Sequence, residues 1–82
     1  MSIIIRVTKG SLSLRIRKGD TVTVCPTAHE GRGVRVGRIG AHSLWMSGNR
    51  RHVPAFKVGD IINMHDGRPE HSVRAVVEAV TP

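Results

Sequence analysis

Leu12-Ser13-Leu14-Arg15-Ile16-Arg17, the reversal Lys18-Gly19-Asp20, and then Thr21-Val22-Thr23-Val24 form the stretch on which the fold turns. In the first run the apolar residues fall on every second position, so Leu12, Leu14 and Ile16 are expected to face a core. Ser13, Arg15 and Arg17 then face water or a ligand, because successive strand side chains point to opposite sides. The second run repeats the pattern. Between them, Gly19 supplies a positive φ and Asp20 a local side-chain bond, the chemistry of a tight turn. Pro26 has no N–H to give to a ladder and ends the second run.

Outward from that stretch the same period recurs, and helical periodicity is almost absent. Val34-Arg35-Val36 alternates, with Gly37 beside it marking a bulge or a close backbone approach. Ser43-Leu44-Trp45-Met46 is a short apolar strand closed by the turn residues Ser47-Gly48-Asn49. Phe56, Val58, Ile61, Ile62 and Met64 are expected core fillers, and His65-Asp66-Gly67-Arg68-Pro69 a loop. The last run, Val73 to Val80, carries apolar residues on both faces, which suggests a strand covered on both sides or seated at a subunit contact. Only residues 39–46 and 75–80 leave room for a short helix. Residues 17–24 and 57–64 run in step around a shared Gly-Asp, which reads as one hairpin solution reached twice. The expected fold is all-β, a small barrel or sandwich of six to seven short antiparallel strands in a single domain spanning residues 1–82.

Charge divides the chain unevenly. Residues 1–53 hold ten Lys or Arg against Asp20 and Glu30, a balance of +8. Residues 54–82 hold Lys57, Arg68 and Arg74 against Asp60, Asp66, Glu70 and Glu78, a balance of −1. A confined, arginine-rich field attracts polyanions, nucleic acid first among them. Arg15 and Arg17, two apart on one strand, would lie about 7 Å apart on one face, near the spacing of successive phosphates. Arg35 and Arg38 straddle Gly37, and Arg50-Arg51-His52 follows a Gly-Asn turn. Trp45 lies between these clusters in sequence. Flanked by Leu44 and Met46 it reads as core or interface; beside guanidinium groups it reads as a stacking platform for a splayed base.

Other chemistry finds little support in the residues. The five histidines show no metal-ligand spacing, and no metal or other cofactor is expected. Cys25, the one cysteine, reads as a buried small hydrophobe and excludes an intrachain disulfide. Gly31-Arg32-Gly33 lacks the lysine and helix of a phosphate-binding loop. The acidic residues offer no acid–base pair, so a non-enzymatic role is expected. Ile3-Ile4-Ile5 stops at Arg6, short of a signal-peptide core, and no run approaches a membrane span, so a cytoplasmic location is expected.

Gly19-Asp20-Thr21-Val22-Thr23-Val24, Gly31 and Val34-Arg35-Val36-Gly37, with the opening Ile3-Ile4-Ile5-Arg6, resemble the carbon storage regulator family of RNA-binding translational regulators over roughly residues 1–41. The resemblance implies an intertwined β dimer that binds RNA loops, with Arg6 at an RNA-contacting position. Residues 54–82 read as further strand where that family has a C-terminal helix.

Together these readings point to a small basic nucleic-acid-binding protein, RNA slightly ahead of DNA, in the manner of a post-transcriptional regulator. Arg6, Arg15, Arg17, Arg35, Arg38, Trp45, Arg50 and Arg51 are its expected contacts. No membrane partner is expected, and a homodimer is compatible with the two-faced last strand. Two alternatives stay open: a phage or mobile-element assembly module docking on an acidic host protein, and a toxin-type ribonuclease with an SH3-like fold.

Overall fold

Burial alternates with the sequence through most of the chain in the computed structural model, which describes residues 1–48 and 50–82. Strand β1 (Ser2–Lys9) sends Ile3, Ile5 and Val7 inward and Ile4 and Arg6 outward. β2 (Thr21–Val24) buries Val24, and the three-residue β3 (Thr27–His29) is exposed throughout. β4 (Gly33–Ile39) and β5 (His42–Met46) contribute Val34, Val36, Ile39, Leu44 and Met46. β6 (Ile61–His65) adds Ile62 and Met64, and β7 (Val73–Thr81) adds Val73, Ala75 and Val77. All pairings are antiparallel, in the order β2-β1-β7-β6-β5-β4-β3. Among the described residues there is no α-helix, only a 3-10 turn at Pro69–His71.

Connectivity forces this sheet to curl. β2 and β3 lie at opposite edges, yet only Cys25 and Pro26 separate them. Two residues reach no more than about 10 Å between the flanking positions, so the edges must come together. The result is a strongly curled half-barrel in which β2 packs on β4. The approach is close: a Cβ built on Gly37 would stand 2.7 Å from Cβ and Cγ1 of Val24. Phe56 and two residues of the 10–20 loop, Leu14 and Ile16, complete the core. Among the described residues no polar or charged side chain is buried, and none has a buried unpaired polar atom.

Three expectations need correction. Residues 12–17 are not a strand. Leu12–Arg15 form a turn between Ser11 and Ile16, which bridge each other, and Arg15 sits at φ 57°. Leu12 is 98% exposed while Leu14 and Ile16 are buried, so alternation there reflects a loop folded back on the sheet. Cys25 is exposed, because burying Val24 turns its neighbour outward, and Pro26 takes the inward place. Val58 and Ile61 are 67% and 65% exposed rather than core. Ile61 precedes the inward Ile62 and must face out. Residues 39–46 and 75–80, the two stretches with room for a short helix, are strand-rich, in keeping with the all-β expectation. Of the turn expected at residues 47–49, Ser47 and Gly48 form a bend, and Asn49 lies outside the described residues.

The echo between residues 17–24 and 57–64 is a true geometric repeat. Asp20 Oδ2 accepts from the Arg17 amide at 3.0 Å, and Asp60 Oδ2 from the Lys57 amide at 2.8 Å. Gly19 donates to the Val7 carbonyl at 2.7 Å, and Gly59 to that of Val77 at 2.8 Å. Val7 and Val77 in turn donate to the carbonyls of Asp20 and Asp60, both at 2.8 Å. Registers agree as well: Arg6 opposes Thr21 as Val76 opposes Ile61, and Ile5 opposes Val22 as Ala75 opposes Ile62. Arg6 and Val76 themselves face each other across β1 and β7, so a local twofold passes between them. Chain order differs between the halves, since β1 precedes its turn and β7 follows its own.

Candidate nucleic-acid interface

The outward faces of β3, β4 and β5 bring together the residues with most chemistry. Thr27, Arg35, Trp45 and His65 form one transverse row, each opposite the next across the ladder. Trp45 is half-buried on the outside of β5, between the inward Leu44 and Met46. Its ring meets His29 edge-on, with centroids 5.2 Å apart and planes at 66°. His29 opposes Gly33, which offers no side chain to intervene between the two rings. Trp45 is therefore not core. It is an aromatic wall on the basic face.

A bulge supplies the neighbouring arginines. Residues 35 and 38 would point to opposite faces of a regular strand. The register shift between Arg35 and Gly37 turns both Val36 and Gly37 inward, and this returns Arg38 to the side of Arg35. Arg35 Nη2 donates to Ser43 Oγ at 3.1 Å, which holds the guanidinium across β5. Ser43 also opposes Arg38 in the ladder.

The connection across residues 47–60 brings the remaining cations. Adjacent antiparallel strands need only a few residues to reverse, and long connections are commonly functional. This one carries Arg50, Arg51 and His52 to the β3–β4 hairpin, where an added Cβ on Gly33 would lie 3.6 Å from the Arg50 carbonyl. Those three residues with His29, Glu30 and the hairpin backbone line a cleft of about 730 Å³. A second cleft, about 360 Å³, is lined by Trp45 itself with Arg32, Met46, His65 and Asp66. Five guanidiniums (Arg32, Arg35, Arg38, Arg50, Arg51) thus stand beside two carboxylates on this side of the molecule.

The other expected contacts lie elsewhere. Arg6 is on the outside of β1 and forms an ion pair with Glu78. Arg15 is at the tip of the 11–16 turn, and Arg17 opens the Gly-Asp turn, so the two do not share a strand face. Both are exposed, and with Lys18 they make a separate cationic end.

His29, Arg32 and His65 were not singled out by sequence reasoning. For His29 and His65 the usable signal was their parity with Arg35 and Trp45 once the strand register is known, whereas Arg32 lies in the turn before β4 and carried no such signal. Asp66 and His71 pair at 3.0 Å, and Asp66 Oδ1 accepts from the Arg68 amide at 3.1 Å. The bond from His71, together with that amide, holds the Asp66 carboxyl below its ordinary value of 3.8 although partial burial opposes this. The pair fastens the loop between β6 and β7 beside the second cleft. Among the described residues no group of three or more His, Cys, Asp or Glu is placed to hold a metal ion. No protein-family model, curated protein or solved structure matches the chain.

Proposed function

We propose that this protein binds single-stranded nucleic acid, RNA in preference to DNA, on the outward face of β3–β5. One observation carries the reading. A tryptophan is held on the outside of the sheet, directly opposite Arg35, although the core is complete without it. An unstacked base lies on Trp45, with His29 bracing the ring from the side. Phosphates run along Arg35 and Arg38 on one flank and Arg50 and Arg51 on the other. Stacking of this kind is tolerant of sequence, because every base presents a π face. RNA leads because its loops offer splayed bases to such surfaces. Arg15 and Arg17 serve as an outlying contact for a longer strand.

Fluorescence anisotropy of labelled single-stranded RNA and DNA oligonucleotides, run over a salt series, tests this. Four phosphate contacts predict a slope of log K against log salt of roughly −3, at about −0.7 per phosphate on single strands. Absence of binding at low salt, or affinity indifferent to salt, rejects the proposal.

A further inference from the structure

The geometric repeat provides an internal control for surface composition. In the first half the outward positions of the turn and adjoining strands are Lys18, Thr21 and Arg6. Their equivalents in the second half are Val58, Ile61 and Val76. Hydrogen bonds, registers and the glycine φ values (96° and 94°) coincide. The fold therefore does not require apolar residues there, since the same backbone is made with polar ones. Yet Val58 and Ile61 are about two-thirds exposed, and half-buried Val76 stands beside Ile61. Exposed apolar side chains that the fold does not require point to an interaction site.

We infer that this face is where two copies of the chain associate. Charge selects a second copy over an unlike partner. The patch belongs to the segment 54–82, whose formal balance is −1, so two chains of formal charge +7 meet there through the part that carries none of the excess. Its border carries both signs: Arg6 and Glu78 beside Val76, and Lys57 and Asp60 beside Val58. A twofold contact must complement itself, and a mixed-sign rim does so where a cationic one would not. The inference stands whether or not nucleic acid is the ligand.

Sedimentation velocity on the full 82-residue chain across a micromolar concentration series reads the result directly. The wild type is expected to pass from one 8.9 kDa chain to a two-chain species. The variant V58K/I61T installs the residues that the first half already carries at those positions. It is expected to remain folded by circular dichroism and to associate at least about 10-fold more weakly, the loss typical of an apolar anchor. Should it fail to fold, I61T alone is read in its place. Thr21→Ala, at the equivalent polar position, leaves association unchanged. A wild type that stays monomeric throughout, a folded variant that associates as the wild type does, or a monomer that captures an unlike protein on this face overturns the inference.

Discussion

Replacing Gly37 with alanine tests the closure of the half-barrel. The new Cβ would lie 2.7 Å from two side-chain atoms of Val24, against 3.4–4 Å for ordinary contact, so one strand must retreat by roughly 1 Å. Both residues are buried, and Gly37 also sits in the bulge that sets the positions of Arg35 and Arg38. Overpacking by one methyl in such a place costs about 1–3 kcal/mol. For a domain of this size each kcal/mol lowers Tm by about 4–8 °C. Urea and thermal unfolding followed by circular dichroism measure the loss. Val24→Ala alone loses buried apolar area, yet in the double variant it removes one of the two clashing atoms. The double variant should therefore fall short of the summed single losses by at least about 0.5 kcal/mol. If Gly37→Ala unfolds within about 0.5 kcal/mol of the wild type, or the two losses add, then β2 does not press on β4 as described.

The other predictions address the site, the turns and the clamped loop. Trp45→Ala should leave urea stability nearly intact, since Trp45 is outside the core, while weakening single-stranded RNA binding by about 1–3 kcal/mol in anisotropy titrations. Asp20→Ala and Asp60→Ala each release one backbone amide in the same geometry, so both should cost about 1 kcal/mol, and to a similar degree, in chemical denaturation. Asp66 has a depressed folded pKa, so its contribution is present above the unfolded carboxylate value and is lost as pH falls through the folded one. Amide exchange in the 66–72 loop should accordingly quicken on acidification, after allowance for intrinsic rates, and Asp66→Asn should abolish that response.

Much of the fold was legible because a strand with one buried face writes its period into the residues. Ile3, Ile5 and Val7, then Val73, Ala75 and Val77, alternate because each inward side chain fills core and each outward one meets solvent or a partner. The same rule misled at residues 12–17. Alternation records which side chains are buried but not whether the backbone is extended. There a left-handed Arg15 and the approach of Gly10 to Ile16 fold the chain into a turn instead. Val58 and Ile61 misled in another way: hydrophobicity does not distinguish a core from a surface that another molecule covers. For the site, the arginine excess and Trp45 were readable, but their grouping was not. It depends on the bulge at Val36–Gly37 and on the path of residues 47–60 past the β3–β4 hairpin. Both are set by distant contacts, with Val24 in one case and Gly33 in the other.

Trp45 is the sole tryptophan, so its emission reports on the proposed platform without labelling. Titrating single-stranded RNA into the wild type should quench that emission with the same midpoint as anisotropy, and added salt should reverse both together. An R50A/R51A variant should shift both midpoints to higher RNA concentration. Binding seen by anisotropy while Trp45 emission stays unchanged would contradict the account, because the strand would then lie on some other face.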